Sequence, residues 1–155
     1  NPRNYNNFKK GEIVVSLAGV TMNLILAVVG AMILYTMLAV NGYKMMTDSV
    51  LSTIAIILYY FVGLNCGLIV FNLIPIPPLD GSRIVGLLIP NKIYYQIMKY
   101  ERYIIIVVFV LLALGWLSTP LSWLTDKVLY GISWLISKPF GEYGDMFMQI
   151  VSSAT

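Results

Sequence analysis

The chain has 155 residues, of which 59% are hydrophobic and 11% are charged, with a formal net charge of +3. A soluble domain carries roughly 25% charged residues, so this composition excludes an ordinary soluble domain. The basic residues do not gather into one recognition face, and nucleic acid is therefore not expected as a partner.

Three stretches of the chain lack every Asp, Glu, Lys and Arg. They comprise residues 13–43, 49–79 and 103–125. Each stretch is longer than the roughly 20 residues that a helix needs to cross a bilayer core. The sequence therefore predicts an all-α, polytopic membrane protein, organised as a single membrane domain over residues 1–155. Its three transmembrane helices are expected at residues 12–40, 49–73 and 103–119.

A fourth helix is expected after the third charge-free stretch. Residues 121–138 carry apolar side chains at helical spacing, with Asp126 and Lys127 among them. This pattern predicts an amphipathic helix that lies at the membrane interface, and a short fourth crossing is the alternative. Residues 139–155 are expected to form a tail.

Basic side chains flank the charge-free stretches unevenly. Three precede the first stretch, and four lie between the second and the third: Arg3, Lys9 and Lys10, then Arg83, Lys92, Lys99 and Arg102. Cytoplasmic segments of membrane proteins are enriched in Lys and Arg. The sequence therefore predicts that residues 1–11 and the basic loop 82–102 are cytoplasmic.

The second stretch ends in the segment Asn72-Leu-Ile-Pro75-Ile-Pro-Pro78-Leu-Asp80-Gly81. An aspartate at the centre of a membrane helix costs roughly 2.5–3.5 kcal/mol, so an acid at membrane depth is expected to have a cation or a metal as its partner. The prolines cannot continue a helix, because each lacks an N–H and clashes with the preceding turn. Residues 74–81 are therefore predicted to break the helix and form a loop where a ligand could enter; the resemblance described next makes this the active-site loop.

This segment resembles the N-x-x-P-x-x-P-L-D-G signature of the site-2 protease family of intramembrane zinc metalloproteases, in the compact prokaryotic branch that lacks a PDZ domain. Residues 17–24 are similar to the A-G-P-x-x-N helix of that branch, although Val20 stands where the family usually has proline. The opening residues 1–5 also resemble the segment that leads into that helix.

The resemblance implies a Zn²⁺ cofactor and a membrane-protein substrate, cleaved in or near its transmembrane segment during regulated intramembrane proteolysis. Asp80 matches a protein ligand of the zinc, and Asn72 matches a catalytic asparagine that holds the substrate backbone or the developing oxyanion. The remaining matched positions are expected to bind substrate or shape the site; they are Asn23, Pro75, Pro78 and Gly81.

The family's H-E-x-x-H helix has no counterpart here, because the chain contains no histidine. The resemblance implies that this helix lies upstream of residue 1 and that the chain is the C-terminal part of an enzyme of the prokaryotic cell membrane. Two other interpretations stay open. One is a non-catalytic scaffold or regulator that kept the loop and lost the metal. The other is a transporter subunit that binds a cation at Asp80. A homo-oligomer also stays open.

Overall fold

A computed structural model of the chain describes residues 2–42, 44 and 48–141. Within these residues all regular structure is helical, which confirms the predicted all-α class. The helices are α1 (Pro2–Asn41), α2 (Ser49–Leu73), α3 (Asp80–Leu88), α4 (Asn91–Lys99), α5 (Glu101–Ala113) and α6 (Ser118–Ser137), followed by a 3₁₀ turn (Lys138–Phe140).

Two helix ends show how local sequence sets these bounds. At the start of α2, Asp48 Oδ1 accepts the backbone N–H groups of Val50 at 2.9 Å and Leu51 at 3.2 Å, which satisfies donors that have no partner within the helix. At the end of α5, Gly115 adopts a left-handed φ of 76°, and the Trp116 N–H donates to the Leu111 carbonyl at 3.1 Å. This Schellman geometry stops the helix.

The stop at Gly115 explains why the predicted helix 103–119 is interrupted. Two segments, Val14–Asn41 and Ser49–Leu73, are each long and apolar enough to cross a membrane. Helix α5 has only 13 residues, or about 20 Å at 1.5 Å per residue, which is less than the roughly 30 Å of a bilayer core. The segments Glu101–Ala113 and Ser118–Phe140 have the required length and hydropathy only as a pair. The described residues therefore include two helices long and apolar enough to cross a membrane, or three such spans if this pair is one broken span.

The chain divides into two compact units. Unit 1 comprises Asn1–Met22 and Ile69–Leu121, and unit 2 comprises Asn23–Leu68 and Ser122–Thr155. Helices α1 and α2 contribute to both units. The segment 72–81 lies wholly in unit 1.

Unit 2 has an apolar core to which α1, α2 and α6 all contribute. A Cβ added at Gly30 would lie 3.0 Å from the Phe61 ring and from Val62, so glycine permits the close approach of α1 and α2. The Tyr35 hydroxyl donates to the Ser133 carbonyl of α6 at 3.3 Å. One face of α6 is buried in the same core as the two membrane-length helices; its apolar members are Leu129, Ile132 and Ile136. The apolar face of α6 that the helical spacing predicts thus packs in the core of unit 2.

Candidate functional site

The proline-containing loop is built from two tight turns. The Ile76 N–H donates to the Ile74 carbonyl at 2.9 Å around Pro75, and the Leu79 N–H donates to the Ile76 carbonyl at 2.9 Å. A cis peptide bond joins Pro77 and Pro78 inside the second turn. The helix resumes at Asp80, so the predicted loop 74–81 is two residues shorter in the structure. The reason is that Asp80 and Gly81 form the first turn of α3.

Gly81 allows the start of α3 to lie directly against the end of α2. A Cβ built on Gly81 would lie 2.5 Å from the Ile74 carbonyl oxygen and would also clash with the carbonyl group of Leu73. These obstacles are backbone atoms, which cannot rotate away as a side chain can. The absence of a side chain at residue 81 therefore sets the position of Asp80 relative to the end of the helix that carries Asn72.

The Asp80 carboxylate has partners from two directions within unit 1. Its Oδ1 accepts a hydrogen bond from Ser16 Oγ of α1 at 3.0 Å, and Arg83 Nε lies 4.0 Å from the same oxygen. The Asp80 and Arg83 side chains are 33% and 38% exposed, so solvent screens this long ion pair and little stabilisation is expected from it. The N-terminus of α3 adds a favourable dipole for the negative charge.

The second oxygen of Asp80 lies beside a glycine. A Cβ added at Gly19 of α1 would be 3.9 Å from Asp80 Oδ2, which is an ordinary contact distance. Ser16 and Gly19 are three residues apart and share one face of α1. Sequence reasoning missed Ser16, because a single serine in an apolar run usually bonds to its own helix and gives no signal of a distant partner.

The other predicted site residues occupy different environments. Asn72 is half-buried in the last turn of α2, whereas Pro75 and Pro78 are exposed on the loop. Asn23 is half-buried and belongs to unit 2, so it is described separately from the residues of unit 1. The structure thus brings Asp80 and Gly81 together with the end of α2 and with Ser16.

A zinc ion would find one protein ligand in this arrangement. Carboxylate oxygen is a normal zinc donor, and metal-binding carboxylates are typically held by a further hydrogen bond such as the one from Ser16. Among the described residues, no group of three or more His, Cys, Asp or Glu side chains could hold a metal ion. Asp80 therefore fits the role of a single ligand, and the other donors would have to come from elsewhere.

Asn65 makes a contrasting, purely local bond. Its Nδ2 donates to the Phe61 carbonyl of its own helix at 2.8 Å, and the residue is 3% exposed. The bond uses one N–H of the carboxamide and leaves its oxygen out, so it explains the burial of Asn65 without assigning the residue to a site.

Comparisons with known proteins agree with the sequence signature. The model of the family described as "Peptidase family M50" matches residues 4–115. A protein of Bacillus subtilis (strain 168) named "Putative zinc metalloprotease YwhC" is 39% identical over 114 residues, which cover 71% of this chain and 51% of that protein. The chain thus spans about half the length of this curated relative. No solved structure matches the chain.

The family match includes both membrane-length segments, the whole 72–81 segment and the Ser16–Asp80 contact. Apolar helices of this length and membership of a membrane-protease family together indicate an integral membrane protein. The chain belongs to peptidase family M50, the site-2 protease family.

Proposed function

We propose that this chain is the aspartate-bearing, C-terminal part of an intramembrane zinc metalloprotease, which hydrolyses peptide bonds in or near the transmembrane segments of membrane proteins. The observation that carries the proposal is the Asp80 carboxylate, placed just beyond a membrane-length helix and oriented by a buried serine of another helix. The family membership and the name of the Bacillus subtilis relative support the metal and the reaction class.

In this proposal Asp80 supplies one zinc ligand. Two histidine ligands and a general-base glutamate come from an H-E-x-x-H helix upstream of residue 1. Zinc bound in such a site lowers the pKa of its water and polarises the scissile carbonyl. Asp80 itself contributes negative charge and a fixed ligand position. The hydrogen bond from Ser16 and the backbone contact at Gly81 hold that position.

Asn72 is proposed to bind the substrate rather than the metal. A carboxamide can donate an N–H to the carbonyl oxygen that becomes negative during hydrolysis, and removing one such donor from an oxyanion site costs roughly 10²–10³ in kcat. Its place in the last turn of α2 puts Asn72 beside the proline-containing loop, of which Pro75 and Pro78 are exposed. Pro75, Pro78 and Gly81 are proposed to shape the surface that receives the unwound substrate. Asn23 belongs to the other unit and keeps its own, separate prediction of a substrate-binding or site-shaping role.

The proposed setting is a prokaryotic cell membrane, with residues 1–11 and 82–102 on the cytoplasmic side. The basic side chains of these segments support this orientation. Residue 80 then lies at the cytoplasmic end of the second crossing. Large apolar side chains on the outer faces of the membrane-length helices, such as Leu24, Ile57 and Leu64, are exposed and suited to lipid.

The test is a comparison of Asp80→Asn with Asp48→Asn in the full-length protein, upstream segment included. Asn cannot replace the carboxylate as a zinc ligand of equal strength, so Asp80→Asn is expected to lose zinc and proteolysis while remaining folded. Asp48 also stands at a helix N-terminus, and asparagine caps a helix as well as aspartate does, so Asp48→Asn is expected to keep both properties. Zinc is measured by elemental analysis, and cleavage is measured on a membrane-protein substrate in liposomes.

The same experiment separates the rival functions. Wild-type zinc content and cleavage in Asp80→Asn would remove Asp80 from the metal site. A wild-type protein that neither retains zinc nor cleaves substrate would support the non-catalytic scaffold. Ion flux that survives chelation of zinc would support the transporter.

A further inference from the structure

The hydroxyl of Ser16 donates its hydrogen bond outside its own helix, which is unusual for a helical serine. Serine and threonine side chains within helices commonly donate to a carbonyl of the preceding turn. In this chain Thr36, Thr53 and Ser137 all do so, donating to the carbonyls of Met32, Ser49 and Trp134. Ser16 donates instead to a carboxylate 64 residues away in sequence. Its hydroxyl thus bonds to Asp80 and not to the backbone of its own helix.

The environment of Ser16 makes this bond difficult to replace. Ser16 is only 2% exposed, so the bond forms where water has little access to the hydroxyl. Among the described residues, Arg83 Nε also lies 4.0 Å from Asp80 Oδ1, and the two side chains are 38% and 33% exposed to solvent. Loss of the hydroxyl would therefore leave Oδ1 with a weak, screened partner.

The bond also selects the orientation of the carboxylate. The terminal torsion of an aspartate side chain is broad, so the two oxygens do not have fixed directions by themselves. A hydrogen bond from Ser16 to Oδ1 fixes that torsion, and Oδ2 then lies beside Gly19, where no side chain occupies the space. One face of α1 thus holds one oxygen and leaves room next to the other.

We propose that Ser16 is a positioning residue for the metal site, which acts by orienting the Asp80 carboxylate so that Oδ2 faces the metal. This inference rests on the proposed function, because it requires Asp80 to be a zinc ligand. Removing a hydrogen-bond partner of a metal-binding group typically lowers metal affinity by about 10- to 100-fold. Ser16→Ala is expected to weaken zinc binding by that factor.

The experiment measures metal binding by the full-length protein in detergent, with Ser16→Ala, Ser16→Thr and Asp80→Asn beside the wild type. Zinc affinity is determined by competition with a chromophoric chelator, and the visible spectrum of the cobalt-substituted protein reports ligand geometry independently of proteolysis. Ser16→Ala is expected to change both readouts, and Ser16→Thr, which keeps the hydroxyl, is expected to restore them. Ser137→Ala is the matched control, because Ser137 is another buried serine whose bond stays within its own helix.

The outcomes distinguish the inference from the function on which it rests. Asp80→Asn that retains zinc would overturn the proposed function. Asp80→Asn that loses zinc, together with Ser16→Ala that keeps wild-type affinity and an unchanged cobalt spectrum, would overturn the role of Ser16 alone. If Ser16→Ala and Ser16→Thr both lose zinc and both lower the melting temperature of the zinc-free protein, residue 16 has a packing role and the inference is also overturned.

Discussion

Gly81→Ala tests whether the start of α3 must lie against the end of α2. A Cβ at this position would be 2.5 Å from the Ile74 carbonyl oxygen, whereas ordinary contacts begin at 3.4 Å. The two distances differ by 0.9 Å, so α3 would have to move by about 1 Å to accept one methyl group. Overpacking of this kind typically costs roughly 1–3 kcal/mol.

The displacement should affect chemistry as well as the free energy of unfolding. Asp80 is the neighbour of Gly81, and a misplacement of about 1 Å in a catalytic arrangement can cost about 10²-fold in rate. Gly81→Ala is therefore expected to lower the free energy of unfolding by roughly 1–3 kcal/mol and to reduce both zinc retention and cleavage. Denaturant titration in detergent, elemental analysis and the liposome cleavage assay measure these three effects.

Gly63→Ala provides the control within α2. A Cβ at Gly63 meets no described atom within 4 Å, and alanine is favoured over glycine in a helix by up to about 1 kcal/mol. This variant should be as stable as the wild type or more stable, with unchanged zinc content. If Gly81→Ala behaves like Gly63→Ala, the close approach of α2 and α3 does not determine the site, and the reasoning is refuted.

Two further predictions concern the break between α5 and α6. Gly115→Ala should lower the free energy of unfolding by about 1–2 kcal/mol, because the left-handed conformation at this residue is costly for alanine. Gly131→Ala lies within α6, where an added Cβ meets no described atom, and should not lower the free energy of unfolding. Equal stability of the two variants in denaturant titration would contradict the capping role of Gly115. If α5 and α6 form one broken crossing, the exposed residues Lys92 and Lys138 lie on opposite sides of the membrane. Cysteine variants at these positions should then react with an impermeant maleimide from opposite sides, and labelling from the same side would indicate a re-entrant segment.

The sequence predicted the helical class and the two long apolar helices because lipid imposes a simple requirement on the chain. An uncharged run of more than 20 residues has few stable alternatives to a membrane helix. The bounds were harder to predict. Helix α1 starts at Pro2 rather than near residue 12, since proline is accepted in the first turn of a helix and Gly11 alone does not stop the helix before the apolar run.

For the candidate site, the sequence could propose only residues that lie close together along the chain. Asp80, Asn72 and Gly81 could be proposed because the motif is local in sequence. Ser16 could not be assigned in the same way, because a single serine in an apolar run usually bonds to its own helix and its actual partner lies 64 residues away. The close contact between Gly81 and the backbone of residues 73 and 74 could not be predicted either, because it depends on how two helices meet.

In the proposed metal site, two requirements of a metal-binding carboxylate are met by different residues. Its position is fixed by backbone contact, through Gly81 and the end of α2, whereas its orientation is fixed by a side chain, through Ser16. Substitutions at Gly81 and at Ser16 should therefore have different effects on stability and on zinc binding. Gly81→Ala should reduce stability and zinc binding together, because the helix itself must move. Ser16→Ala should reduce zinc affinity and should cost the zinc-free protein only the one hydrogen bond, and Ser16→Thr should restore both, because no helix has to move.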